Sequence, residues 1–182
     1  LERYWVWSDG TVAKNELITP ENGAGYYAYA TADGPILRGK FDNGAGRIYV
    51  ADNEGKLMGS DMTSDGWVVT TLYDGHYERY YVDATTKAAV SGFFNVADYG
   101  DVFGTGGEGY IIRGDFMFGN RKWSSDNDGK LRSGWYITSG FGDGIQRYWM
   151  GDKVFDSAHA AAETRLVTPT DGAGYYAYAT SG

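Results

Sequence analysis

One segment of this chain occurs twice with little change, and this constrains the fold more than any other feature of the sequence. LITPENGAGYYAYATADG at Leu17–Gly34 returns as LVTPTDGAGYYAYATSG at Leu166–Gly182. The triplet Arg3-Tyr4-Trp5 returns in similar form at residues 79–81 and 147–149. A chain that repeats its own sequence in this way folds as a row of small similar units, each of which packs mainly on its neighbours.

The repeated anchors divide the chain into three parts. Residues 1–78 form repeat unit 1, for which we predict three hairpins, residues 79–146 form repeat unit 2, and residues 147–182 form a partial repeat unit 3. The third unit carries an insertion at residues 157–163, which is the only stretch with a helical composition. The third unit also stops in the middle of the repeated pattern, so we expect the chain to be a piece of a longer protein.

Within a unit, short runs rich in Val, Ile, Thr, Tyr and Trp alternate with Asp-Gly and Asn-x-x-Gly turn signals, a pattern that predicts tight β-hairpins. In repeat unit 1 the predicted hairpins pair Tyr26–Thr31 with Ile36–Phe41, Arg47–Ala51 with Lys56–Met62, and Trp67–Leu72 with Tyr77–Val82. We therefore predict an all-β fold in which tandem β-hairpin repeats form a solenoid-like array. A compact β-sandwich or barrel is the alternative.

Composition and charge exclude several classes of partner and cofactor. The chain has no cysteine, which rules out disulfide bonds and thiol chemistry, and it has only two histidines, His76 and His159. A net charge of −8 argues against nucleic-acid binding, because Lys and Arg dominate contacts with phosphate. No apolar run approaches the roughly 20 residues of a membrane span. We predict no cofactor, no metal site, no nucleic-acid partner and no membrane insertion.

Acidic residues that could serve catalysis or metal binding are explained more simply as turn residues. Eight of them lie in turn signals that contain glycine, as Asp52 and Asp74 do, and Asp favours turns because its side chain bonds the nearby backbone. The run Asp126-Asn127-Asp128-Gly129 resembles a calcium loop, but alignment on its glycine puts Trp135 where an EF-hand needs glutamate. We predict that the chain is not an enzyme. A glycoside-processing domain with paired carboxylates is the least favoured alternative.

Aromatic side chains make up 16% of the chain and have two possible roles. Because successive side chains of a strand point to opposite faces, each strand offers rings both to a thin core and to a groove. The glycines that precede Trp67 and Trp135 leave one side of each indole ring bare. That arrangement suits stacking on a sugar or enclosing a cation, and it suits equally the close packing of a neighbouring hairpin.

The same aromatic and glycine pattern resembles a known family. GWVVTTLYDGHYERYYVDATTKAAVSGFF at Gly66–Phe94 is similar to the cell-wall-binding repeats of Gram-positive surface proteins, the choline-binding and glucan-binding type. That family places a Gly-Trp before an aromatic doublet, a turn, and a glycine followed by an aromatic residue. Here these roles fall on Gly66-Trp67, Tyr80-Tyr81, Asp83–Lys87 and Gly92-Phe93, and they recur on Gly134-Trp135 and Tyr148-Trp149.

The resemblance implies a binding site between successive hairpins, formed by the Gly-Trp indole and a ring from the following hairpin. The expected pairs are Trp67 with Tyr81 and Trp135 with Trp149, and Trp5 would complete a site with a preceding hairpin. The implied ligand is a bacterial cell-wall polysaccharide, either a neutral glucan or a choline-bearing teichoic acid.

We therefore predict a non-catalytic cell-wall or carbohydrate-binding repeat module. It would belong to a larger secreted or bacterial cell-surface protein with adjoining domains. The alternative is a structural stalk or protein-adhesion segment in which every ring is core and no small ligand binds.

Overall fold

A computed structural model describes residues 1–43, 45–71, 77–105, 108–151, 161–162, 165–171 and 173–180. The described residues contain fourteen strands that pair in chain order as seven antiparallel hairpins. The strands are β1 Glu16–Ile18, β2 Ala28–Ala30, β3 Gly39–Asp42, β4 Ile48–Ala51, β5 Gly66–Thr70, β6 Glu78–Val82, β7 Gly92–Val96, β8 Gly100–Gly104, β9 Gly114–Phe118, β10 Arg121–Ser125, β11 Gly134–Thr138, β12 Gln146–Met150, β13 Arg165–Val167 and β14 Ala177–Ala179.

Each sheet among the described residues has two strands, so the predicted all-β fold of tandem hairpins is confirmed and the sandwich or barrel alternative is not. Two single-turn 3-10 helices, Pro20–Asn22 and Pro169–Asp171, lie between the strands of the first and last hairpins. Within the part of the chain that the structure describes, no helix has the length and apolar character needed to cross a membrane.

One bridging residue follows each of six hairpins in the described chain, and it comes after a tight turn where the intervening residues are all described. This residue forms an isolated antiparallel bridge back to the second strand of the hairpin. The bridges are Ala30 to Ile36, Ala51 to Leu57, Val82 to Ala89, Gly104 to Ile111, Ser125 to Leu131, and Met150 to Ala161. The structural repeat is therefore a two-stranded ladder, a tight turn and one bridging residue.

This arrangement corrects two of the three predicted hairpins of repeat unit 1. The run Tyr26–Thr31 pairs mainly with β1, and Arg47–Ala51 pairs mainly with β3, whereas their predicted partners make only the isolated bridges. The predicted turns do form, but after each turn only one residue pairs back with the preceding strand. In the first case the next ladder then starts at Gly39, which has a φ of +87°. The third predicted hairpin is correct and is β5–β6.

The described chain divides into two compact units. The first unit comprises residues 1–92 and 104–111, and the second comprises residues 93–103 and 112–182. These boundaries differ from those of the repeat units, because the repeat boundary at residue 78 falls inside β6. The division into repeat units stays a prediction. The predicted Asp74-Gly75 turn, His76 and His159, and residues 157–160 and 163 of the predicted helical insertion lie outside the described residues. Ala161, within that insertion, is described and forms an isolated bridge to Met150.

Rings and aliphatic side chains from successive hairpins form the cores of both units. The first unit contains three clusters, built around Ile18, Tyr29 and Tyr80. The second unit contains a cluster around Phe103 and Trp123 and another around Trp149 and Val167. Many of the abundant aromatic residues are thus core residues, because two-stranded sheets offer little other apolar area to bury.

Candidate functional site

Both predicted ring pairs form, and each lies across a single hairpin. Trp135 of β11 is directly opposite Trp149 of β12, with ring centroids 5.1 Å apart and planes at 72°. Trp67 of β5 is opposite Tyr81 of β6 in the same way, at 5.0 Å and 69°. The expectation that the second ring comes from the following hairpin is wrong for these pairs. The Gly-Trp opens the first strand, and the aromatic doublet occupies the facing positions of the second strand.

An arginine covers each indole in the same cross-strand geometry. The guanidinium carbon of Arg147 lies 4.2 Å from the ring centroid of Trp135, and that of Arg79 lies 3.7 Å from the ring centroid of Trp67. Each arginine stands two residues before the ring that faces the tryptophan, so it reaches the indole diagonally across the ladder. These are cation–π contacts, which contribute about 0.5–2 kcal/mol depending on how far they are desolvated.

In the second compact unit, a third ring joins the Trp135–Trp149 pair. Tyr175 lies just before β14 and stacks on Trp135 with centroids 5.4 Å apart and planes at 11°. The Trp135 Nε1–H also donates to the Ala173 carbonyl, 3.1 Å away. The ring from the following hairpin is therefore Tyr175, which the sequence analysis did not select. The repeated GYYAYAT segment that contains it was the available signal.

A cavity of about 450 Å³ lies beside these three rings, also within the second compact unit. Its apolar walls are rings and small aliphatic side chains, and its polar groups come mostly from the end of the β11–β12 loop and the start of β12. The lining includes Trp135, Trp149, Tyr175, Tyr178, Lys122, Asp143, Gln146 and Arg147. Both its size and its mixture of rings with a few polar groups are typical of small-molecule sites.

An ion pair fixes the polar wall of this cavity. The buried Lys122 ammonium lies 2.5 Å from the Asp143 carboxylate, and the Tyr148 hydroxyl donates to the same carboxylate over 3.3 Å. The hydrogen bond with Asp143 raises the pKa of Lys122 above its ordinary value. The same bond lowers the pKa of Asp143, while burial is the main cause of a raised pKa at Tyr148. Lys122 and Asp143 are therefore both charged at neutral pH.

The structure places Trp5 against a core cluster. The half-buried indole meets Trp7 edge to face, with centroids 6.1 Å apart, and packs beside Ile18 and Ala28. Its Nε1–H is buried without a hydrogen-bond acceptor in the described chain. The predicted role of Trp5 in a site with a preceding hairpin stays a prediction.

Carboxylates in the turns accept hydrogen bonds from nearby backbone amides, as the sequence predicts. Asp52 accepts from the amides of Glu54 and Lys56, and Asp126 accepts from those of Asp128 and Lys130, all at 2.9 Å. Among the described residues, no group of three or more His, Cys, Asp or Glu side chains could hold a metal ion.

Comparison with known proteins places this chain in a structural class. No family model matches the sequence, and no curated protein matches it. Solved structures do match, and they include choline-binding proteins, so the fold is that of the choline-binding β-hairpin repeats whose pattern the sequence resembles.

Two of the matched structures are of choline binding protein F from Streptococcus pneumoniae. Its crystal form II matches with 18% identity over 91% of this chain and 50% of that chain, at a TM-score of 0.52. Its structure in the presence of a peptidoglycan analogue, a tetrasaccharide-pentapeptide, matches with 19% identity over 87% of this chain and 44% of that chain, at a TM-score of 0.51. The chain thus spans half or less of these relatives, and at this identity the likeness concerns the fold alone.

Proposed function

We propose that this chain is a non-catalytic binding module of a larger secreted or cell-surface bacterial protein, and that it attaches that protein to an envelope glycan. The observation that carries the proposal is the cavity beside Trp135, Trp149 and Tyr175, on a fold shared with choline-binding proteins. Three rings, two from one hairpin and one from the next, line the cavity, and Tyr175, which is 45% exposed, offers a flat apolar surface on which a sugar ring stacks. Gln146 and Arg147 supply hydrogen-bond donors for its hydroxyl groups.

The charge at the rings favours a sugar over a quaternary ammonium group as the contacting moiety. Arg147 already lies 4.2 Å from the Trp135 centroid and 5.5 Å from that of Tyr175. A second cation at about 4 Å from this guanidinium would meet a repulsion of about 1–4 kcal/mol. That repulsion matches or exceeds the roughly 0.5–2 kcal/mol that a cation–π contact contributes. A hydroxylated sugar meets no such penalty.

Trp67 and Tyr81 are the proposed counterpart of this site in the first compact unit. Their geometry matches that of Trp135 and Trp149, and Arg79 covers Trp67 as Arg147 covers Trp135. Two weak sites on one chain gain from each other on a repeating polymer, because the second contact is intramolecular. Trp5 is the weakest of the candidate ligand-binding rings, because it already packs on core side chains.

Choline-bearing teichoic acid is the second candidate ligand, and the fold likeness to choline binding protein F favours it. A structural stalk is the third candidate role. It is favoured by Trp149, which is only 6% exposed and therefore packs as a core residue. One experiment separates the three. The purified chain is sedimented with Gram-positive cell walls before and after hydrofluoric acid removes the teichoic acids, and it is also passed over a choline resin.

The glycan proposal predicts equal binding to both wall preparations and no retention on choline. Tyr175→Ala is expected to weaken the binding about tenfold or more, because it removes a stacking surface worth about 1.4 kcal/mol. Tyr176→Ala is the matched control, since that neighbouring ring is 70% exposed and does not line the cavity. Binding that disappears with the teichoic acids supports the choline candidate, and no binding to either wall supports the stalk.

A further inference from the structure

One sequence has two different environments in this molecule. Residues 23–31 and 172–180 both read GAGYYAYAT. The hairpins that contain them pair in the same register, with Leu17 opposite Tyr29 in the first and Leu166 opposite Tyr178 in the second. Tyr29 is nevertheless 3% exposed, whereas Tyr178 is 63% exposed. Because the local sequence and pairing are the same, the difference lies in what packs on each hairpin.

In the first copy, the β3–β4 hairpin covers the tyrosine face. Tyr29 stacks on Tyr49 of β4 with centroids 4.4 Å apart and planes at 20°, and Phe41 of β3 contacts it at 5.8 Å. Leu37 and Leu57, which flank that hairpin, belong to the same buried cluster. The face of β1–β2 is thus an interface between one hairpin and the next.

Backbone hydrogen bonds join the same two hairpins. The Leu37 amide donates to the Tyr29 carbonyl at 2.8 Å, and the Leu57 amide donates to the Tyr27 carbonyl at 2.9 Å. In the second copy, no described residue outside the β13–β14 ladder donates to the carbonyls of Tyr176 or Tyr178. A strand with open acceptors beside an exposed apolar face is a template for another strand.

We propose that a further β-hairpin of the β3–β4 type packs on the face of β13–β14 that is formed by Leu166, Tyr176 and Tyr178. These side chains are 50%, 70% and 63% exposed. The occupant would carry a ring at the position of Tyr49 and leucines at the positions of Leu37 and Leu57. Its two amides would bond the carbonyls that are open in the described chain. This inference concerns how hairpins add to the array and does not depend on sugar binding.

The test appends such a hairpin to the full chain. Ser181 and Gly182 are replaced by a second copy of residues 32–62, which follow the same GYYAYAT segment in the first copy. Nitration by tetranitromethane, read by mass spectrometry, reports the exposure of each tyrosine. We expect the nitration of Tyr178 to fall to the level of Tyr29, which serves as an internal reference, and Tm to rise by about 3 °C or more.

A matched extension keeps the length and removes the packing. In it, the appended residues that correspond to Tyr49 and Leu57 are serine, and we expect Tyr178 to react as in the unextended chain. A paired substitution gives a second readout, because Tyr178→Ala should lower Tm as much as Tyr29→Ala only when the unmodified hairpin is appended.

Two results would overturn the proposal. One is an appended hairpin that is cut by protease while Tyr178 stays reactive. The other is protection of Tyr178 by self-association of the unextended chain. Wall binding is measured separately on the same proteins, so a failure of the glycan proposal is visible independently of this one.

Discussion

At the residue scale, the stability of the fold depends on polar side chains that are buried beside aromatic rings. Tyr80 is fully buried in the first compact unit, and its hydroxyl donates a short hydrogen bond to the carboxylate of Glu78. Lys40 pairs with the same glutamate at 2.9 Å, so a buried carboxylate is satisfied from two sides. Such a group is tolerated in a small core only because both partners are present.

Tyr80→Phe is expected to lower the free energy of unfolding by about 1–3 kcal/mol, because it removes one hydrogen bond to a buried charge. Urea denaturation followed by tryptophan fluorescence measures the loss. Tyr176→Phe, at a ring that is 70% exposed, is the control. An unchanged midpoint for Tyr80→Phe would show that the hydroxyl bond contributes nothing.

Asp143→Asn tests the ion pair on the cavity wall through its pH dependence. The pKa of Asp143 is lowered, so its stabilising effect is full above the ordinary carboxyl range and is lost as pH falls through the lowered value. The pKa of Lys122 is raised, so its effect is present below the ordinary lysine value and is lost as pH rises through the raised one. We expect wild type and variant to differ in Tm between about pH 5 and pH 9, and the difference to shrink only as the pH falls from about 4 through the lowered pKa of Asp143.

The control for that series is Asp61→Asn, at an exposed carboxylate. It should leave the pH profile unchanged. A constant Tm difference between wild type and Asp143→Asn down to pH 2 would contradict the assignment of the ion pair.

At the element scale, tight turns set where one ladder stops and the next begins. Gly55 ends the Asp52 turn with φ of +88°, and a Cβ there would lie 2.6 Å from the Ile36 Cγ2. Gly46 has φ of +72° with nothing within 4 Å of a Cβ. The two glycines therefore share the backbone requirement and differ in packing.

Gly46→Ala is expected to cost about 1–2 kcal/mol, the usual penalty of a left-handed alanine. Gly55→Ala should cost at least about 1 kcal/mol more, because the turn must also move away from Ile36. Thermal unfolding followed by circular dichroism measures both. Equal losses would mean that the turn does not pack on Ile36 as described.

The elements also show where sequence reasoning reaches its limit. The Asp-x-x-Gly turns were predictable, because a side chain and the adjacent amides form them locally. The partner of each strand was not, since a run such as Tyr26–Thr31 has turn signals on both sides. Glycines that open β3, β5, β7, β9 and β11 were the unused signal for where each ladder starts.

At the scale of the whole molecule, the repeat predicted the fold class, because stacked small units are what a self-similar chain can bury. The resemblance to the cell-wall-binding repeats implied the Trp67–Tyr81 and Trp135–Trp149 pairs, although it placed the second ring on the following hairpin. Tyr175 was not predictable, because its contact with Trp135 depends on the packing of separate segments. The contrast between Tyr29 and Tyr178 shows the same limit, since identical sequences differ in exposure according to their neighbours.

The most direct test of the account is a titration of the six tryptophan indole N–H signals in an ¹⁵N–¹H spectrum with soluble fragments of teichoic-acid-free cell-wall glycan. The account predicts that the signals of Trp135 and Trp149 shift together with increasing glycan, that the signal of Trp67 also responds, and that buried Trp123 stays in place. If no indole signal moves at saturating glycan, or if only Trp123 moves, the rings are core alone and the proposed binding role is wrong.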